Sequence, residues 1–279
     1  MQNPSFFDVH THVHFAAYEA DEKEVLKRAL DGGVWLVNVG TQQDTSRNAV
    51  EGAKKFGQGV YATVGLHPIH TEKSHHDSKE LGGVQEFTSR GEVFDVAYYS
   101  GLAQESVVVA IGECGLDYYR LGGETKEKQY ATLRGHIEVA HAVKKPLMIH
   151  CRNAFDDLIP LLKSERENML SEDPGIIHFF TGTVAEARAL LELGFSFSFG
   201  GVTTFTHDYD EAIQFIPASH ILSETDAPYV TPVPFRGKRN EPLYVKYVVE
   251  QIAAIRKHDF ETMCLTLVAN AFRVFRINT

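Results

Sequence analysis

Eight short apolar runs recur along the chain, at 6–12, 34–40, 60–67, 107–112, 146–151, 175–180, 195–200 and 221–225, and most are continuous and rich in β-branched residues. A strand with one face in water alternates polar and apolar side chains, whereas a parallel strand covered by helices is apolar throughout. Amphipathic patterns at 22–30, 45–56, 124–143, 155–163 and 185–193 fall between the runs and supply that cover. Eight such units close naturally into a ring, and 279 residues lie within the size range of one closed barrel. The predicted fold class is therefore α/β, a single (β/α)8 TIM barrel occupying 1–279 with no second domain required. The connection at 69–104 is long for a βα loop and predicts an elaborated loop and helix over the third strand. Its His75, His76 and Asp77 read as a solvated surface. The stretch 231–242, rich in proline and arginine, cannot be a regular helix and predicts a loop at the barrel mouth.

Five of the runs end in a residue that binds metals. Behind Asp8 stand His10 and His12, and later runs lead to Glu113, His150, His178 and Asp226. Successive side chains of a strand face opposite sides, so His10 and His12, two apart, point the same way and can chelate one ion. Catalytic residues of such barrels gather at the carboxyl ends of different strands, which is how ligands scattered over two hundred residues can meet. Four imidazoles and two carboxylates suit the divalent metals of hydrolytic sites, and the set reads as that of a metal-dependent hydrolase. Asp226 could instead cap a turn or helix begun by SETDAP.

A formal charge of −10 opposes a nucleic acid partner unless cations and a local basic patch hold its phosphates. Three cysteines without a CxxC pair argue for a reducing compartment. Cys114 and Cys151 each follow a proposed ligand, so alternation turns them to the opposite strand face as small buried hydrophobes. The start is short and uncharged, and no apolar run approaches a membrane span, so the expected location is cytoplasmic.

The strings DVHTH (8–12), GLHP (65–68), GECGLDYY (112–119), HCR (150–152), HFFTG (178–182), ETDAPY (224–229), RGKRNEP (236–242) and NAFRVF (270–275) occur in that order over nearly the whole chain. The series resembles the TatD family of metal-dependent deoxyribonucleases, within the amidohydrolase superfamily of barrels. Two departures are mild: Phe179 stands where a small residue or cysteine is expected, and Cys114 where an aliphatic residue is common. The resemblance implies that Glu113 bridges two metals, with His10, His12 and Asp226 completing one and His150 and His178 the other. It implies one or two divalent ions (Zn, Mg or Mn), with Asp226 also able to hold the attacking water and accept its proton.

Substrate contacts are expected from His67, which could hydrogen-bond a phosphate oxygen or instead form a structural turn before Pro68, and from Arg152, a bidentate phosphate clamp on the face of His150. Arg236, Lys238 and Arg239 offer local positive charge, and Tyr118 or Tyr119 could stack on a base or pack beneath the next loop. The expected reaction is hydrolysis of phosphodiester bonds at the ends of single-stranded DNA, or RNA, without a membrane or an obligate protein partner. The alternatives are an amidohydrolase or esterase acting on a small molecule or on D-aminoacyl-tRNA, and a metal-binding protein with mainly an interaction role.

Overall fold

The computed structural model describes residues 3–73, 75–76, 87–119 and 125–278. Eight strands form one sheet in chain order: β1 (Phe6–Thr11), β2 (Val34–Val39), β3 (Val60–Val64), β4 (Val108–Asp117), β5 (Leu147–Arg152), β6 (Gly175–Ile177), β7 (Ser196–Phe199) and β8 (Ile221–Ser223). All seven neighbouring pairs are parallel. The last strand meets the first: Thr11 bridges Ala227, the Asp226 amide donates to His10 O at 2.9 Å and the His12 amide to Ala227 O at 2.7 Å. Buried Asp8 reinforces this seam by accepting from the Thr225 amide and hydroxyl at 2.9 and 2.5 Å. The barrel is of the TIM type, as the continuous apolar runs require.

Helices α1 (Glu22–Asp31), α2 (Gln43–Phe56), α3 (Val96–Ala103), α4 (Lys126–Val143), α5 (Phe155–Ser164), α6 (Val184–Glu192) and α7 (Asp210–Phe215) connect successive strands, and α8 (Val245–Arg256) and α9 (Phe260–Phe275) follow the last. Leu36, Ala62, Ile149 and Phe197 on the outer strand faces share one apolar cluster with Leu26, Val50, Leu133, Leu158 and Val248 of the helices. Cys114 and Cys151 are buried in that outer cluster, opposite the proposed ligands. A second cluster fills the lower barrel interior, where Phe7, Val9, Val37, Val109, Met148, Ile176 and Leu222 meet Val268, Ala271, Val274 and Phe275 of α9. Phe272 lies edge-on to Phe7 near the strand starts, with ring centroids 5.9 Å apart. This apolar plug leaves the carboxyl end of the strands as the end where polar groups collect.

Each expected strand forms, but several ligands stand just beyond the ladder rather than on it. β3, β6 and β8 stop at Val64, Ile177 and Ser223, short of His67, His178 and Asp226. Phe179 and Asp226 take φ of 46° and 53°, a left-handed backbone that cannot continue a strand. β4 is longer than expected, and its register slips between Ile111 and Cys114, which pair with Leu147 and Ile149. Gly112 and Gly115 make this bend possible. They sit at φ 150° and 134°, and a Cβ would lie 2.3 Å from Met148 O at the first and 2.0 Å from His150 O at the second. A like slip between Asp8 and Thr11 of β1 lets Val9 stay in the interior cluster while His10 and His12 also reach the barrel mouth.

The long third connection contains α3, as expected, and a ribbon pairing His75–His76 with Phe87–Thr88. Asp77 of the expected His-His-Asp surface falls outside the described residues, as does Glu124, where α4 was expected to begin. The stretch 231–242 is a loop without regular helix before its last residue. Among the described residues, no helix is long and apolar enough to cross a membrane.

Candidate metal centre

Six side chains from five strand ends converge on the buried carboxylate of Glu113. Its Oε1 lies 3.0 Å from His178 Nε2, 3.2 Å from His150 Nδ1 and 3.1 Å from His67 Nε2. Its Oε2 faces the other way, 3.5 Å from His10 Nε2. Around that second oxygen, His10 Nε2 and His12 Nε2 are 3.2 Å apart, and Asp226 Oδ1 is 3.7 and 3.4 Å from them. The donors therefore fall into two lobes on the two oxygens of Glu113, with His67, His150 and His178 about Oε1 and His10 at Oε2, and His10 links the second lobe to His12 and Asp226.

The spacing fits a metal. Four donors held tetrahedrally at about 2.1 Å from an ion stand about 3.4 Å from one another, the range these atoms occupy. Three overlapping sets, His10 with Glu113 and His178, His10 with His12 and Asp226, and His67 with Glu113 and His150, keep their donor atoms within 4.8 Å and could hold an ion. The outward ring nitrogens explain how the inward ones are aimed. His12 Nδ1 donates to Val39 O at 2.8 Å, which leaves the Nε2 lone pair for the pocket. His150 Nε2 donates to Asp117 Oδ2 at 2.9 Å, which leaves Nδ1. His67 works the other way: its Nδ1 accepts from the Ile69 amide at 3.1 Å, so Nε2 carries the proton and faces Glu113 as a donor. His67 is thus suited to hydrogen bonding rather than to ligation.

Electrostatics agrees with a cation. Burial pushes His10 down to about 3, so it stays neutral as a ligand must. Burial opposes the charge on Glu113, but His67, His178 and His10 outweigh it and hold the carboxyl well below its usual range. Against the same burial penalty, Glu113 and Glu224 raise His178, and hydrogen bonds to Asp117 and Glu113 raise His150. Buried carboxylates in this number draw positive charge to the spot, as protons on imidazole or as a divalent ion.

Two carboxylates of this centre lie outside the expected set. Asp117, buried at the end of β4, orients His150, and Glu224 stands with Oε1 3.5 Å from His178 Nδ1 and Oε2 2.5 Å from Ser198 Oγ. Both carry a signal legible in the sequence. Asp117 is an even four residues past Glu113 on the same strand, and Glu224 directly follows the last residue of β8, the kind of strand-end position that marked the other candidates.

The residues expected to meet substrate are placed differently from one another. β5 persists through Arg152, which keeps it on the face of His150, and its guanidinium lies 3.8 Å from the Tyr119 ring centre. Tyr118 is tied down by Asp157, whose Oδ2 accepts its hydroxyl at 3.0 Å. Arg236 is exposed, lies 3.9 Å over Phe205 and donates to Thr231 O. Arg239 is engaged elsewhere: its fork grips Asp21 at 2.8 and 2.6 Å, and it stacks on Tyr18, which pins the loop to the first βα connection. Lys238 lies over the Phe235 ring.

Comparison with known proteins places the chain in one family. Residues 7–276 match the family model described as TatD related DNase. A metal-dependent hydrolase of Bacillus subtilis, YabD, is 38% identical over 98% of this chain and 99% of its own. The protein of Erwinia billingiae named 3'-5' ssDNA/RNA exonuclease TatD is 32% identical over 97% and 99%. The crystal structure of the TatD homologue YJJV from Escherichia coli superimposes with a TM-score of 0.83 at 25% identity, covering 99% of this chain and 100% of that one.

Proposed function

The chain belongs to the TatD family of metal-dependent hydrolases, and from that premise we propose that it cleaves phosphodiester bonds of single-stranded DNA or RNA from an end. The observation that carries this reading is the two-lobed cluster on Glu113, with a proton-bearing His67 Nε2 beside it: one carboxylate shared by two donor sets, and a donor ready for a non-bridging oxygen. Relatives named as 3'-5' ssDNA/RNA exonucleases support the substrate class and suggest the polarity.

In this reading His10, His12 and Asp226 would hold one ion, His150 and His178 would hold the other, and Glu113 would serve both sets. A divalent ion, if bound by these residues, would supply an acidified water and offset charge on the phosphoryl oxygens. Asp226, partly open to solvent, would orient the attacking water and take its proton at Oδ2, the oxygen not turned to His10 and His12. His67 Nε2–H turns from Glu113 to a phosphoryl oxygen and donates more strongly as charge grows there. Asp117 and Glu224 keep the His150 and His178 rings aimed. Arg152 and Arg236 supply the positive edge that a chain of charge −10 otherwise lacks.

The test is turnover of a 3′-labelled and a 5′-labelled oligonucleotide, beside D-aminoacyl-tRNA and a small ester, in chelator-treated protein with and without added Zn, Mg or Mn. Loss of oligonucleotide cleavage on chelation and recovery with metal is expected. Cleavage of the ester or of the aminoacyl bond alone would move the reading to a carbonyl hydrolase. Full turnover in metal-free protein would refute the metal mechanism.

A further inference from the structure

Large apolar side chains left in water are few among the described residues, and two of the aromatic ones stand at the mouth of the barrel. Tyr119 is 57% exposed and Phe205 44%. Each carries an arginine on its ring, Arg152 on Tyr119 at 3.8 Å and Arg236 on Phe205 at 3.9 Å. Among the described residues neither arginine is in an ion pair, whereas Arg28, Arg90, Arg134 and Arg239 all are. In a chain of net charge −10, two cations without an ion-pair partner among the described residues, each over an exposed ring, form a local surface of unusual chemistry.

Both pairs are tied to the metal centre by short stretches of chain. Tyr119 follows Asp117 by two residues, its amide donates to Asp117 Oδ1 at 2.9 Å, and Asp117 in turn holds His150. Arg152 follows His150 by two. On the other flank, Phe205 ends the turn Gly201–Thr204 that leaves β7, and Arg236 sits in the loop that leaves β8 through Asp226. Thr204 Oγ1 accepts from the Val233 amide at 2.9 Å, which joins the two loops, and within the second loop Arg236 Nη1 donates to Thr231 O. The pairs thus stand on the β4–β5 and β7–β8 sides, with His178 of β6 between them.

We infer that Tyr119 with Arg152, and Phe205 with Arg236, are two base-stacking platforms that grip a single strand on either side of the phosphate held at Glu113. The inference rests on the nucleic acid reading above and adds what that reading lacks, a means of holding the bases. An aromatic ring accepts any base on its face, and the stacked guanidinium adds attraction for the neighbouring phosphates. A duplex buries its base faces, so the platforms select unpaired nucleotides. The charge of the pairs and the apolar area of the rings match a strand that is anionic along its backbone and flat and apolar at its bases.

The experiment measures binding of a fluorescein-labelled, phosphorothioate single strand to metal-supplemented protein by anisotropy. A set of otherwise identical strands carries one abasic position each. Phe205→Ala and Tyr119→Ala should each weaken binding to the intact strand by about tenfold. Each loss should vanish on a strand already abasic at one position, a different position for each ring. Phe205→Tyr and Tyr119→Phe, which keep a ring, should bind as wild type does, and matched thermal unfolding checks that all four fold. Alanine variants that bind intact strands normally, or whose losses add in full to every abasic loss, would overturn the platforms. If wild type cleaves and binds strands while the variants are indifferent, the platforms alone fail. If wild type neither cleaves nor binds any strand, the nuclease reading fails with them.

Discussion

His136 gives the sharpest quantitative test of how this barrel is held. It is fully buried on α4, its Nδ1 donates to Thr132 O at 2.7 Å, and its Nε2 accepts from the Leu66 amide at 2.9 Å, one residue before His67. Acceptance at Nε2 requires the neutral ring, and burial pushes its pKa down to about 3 from an unfolded value of 6.5. Between those values the unfolded chain binds one more proton than the folded one, so the contribution of His136 is complete above pH 6.5 and is lost as pH falls toward 3. The loss approaches about 1.4 kcal/mol per pH unit, and from pH 7 to pH 5 it integrates to about 2 kcal/mol. His136→Gln offers the Leu66 amide an oxygen that does not titrate in this range. Urea unfolding of both proteins at pH 7, 6 and 5, with chelator present throughout, should show wild type losing about 2 kcal/mol more than the variant over that span. Other histidines pushed down by burial, such as His14, titrate in both proteins and cancel in the difference. Parallel stability curves would refute the neutral buried acceptor, whatever the variant's stability at pH 7.

Glu113→Gln keeps the shape but removes the charge shared by the two lobes, so bound metal measured by emission spectrometry should fall and the rate drop by orders of magnitude; a variant with full metal and near-normal rate would make Glu113 structural. Asp226→Asn should collapse single-turnover cleavage while oligonucleotide binding persists. Arg152→Ala should instead weaken binding about tenfold, with the effect shrinking as salt is raised; the opposite pattern would exchange the two roles. Gly115→Ala should destabilise the fold by roughly 2 kcal/mol or more, because its Cβ would collide with His150 O at a backbone angle open to glycine, and an unchanged melting temperature would show that β4 can shift to admit it.

Much of the barrel was legible because its rules are local. Continuous β-branched runs, covering helices between them and short connections leave little besides a ring of parallel strands, and period-two alternation was enough to pair His10 with His12 and to send Cys114 and Cys151 outward. The six candidate ligand positions could be marked because each stands at or near the end of an apolar run, and ends of barrel strands meet. Which donor faces which was decided only in three dimensions. The register slips in β1 and β4 depend on the neighbouring strands as much as on the residues that slip, and they set which oxygen of Glu113 meets His10 and which meets His178. His67 became a proton donor through one backbone amide two residues away, Arg152 and Arg236 found aromatic rings from other loops, and Arg239 was drawn off to Asp21, 218 residues distant. Those outcomes turn on long-range contacts made by flexible side chains, and a linear pattern carries which side chains exist but not which of them compete for the same partner.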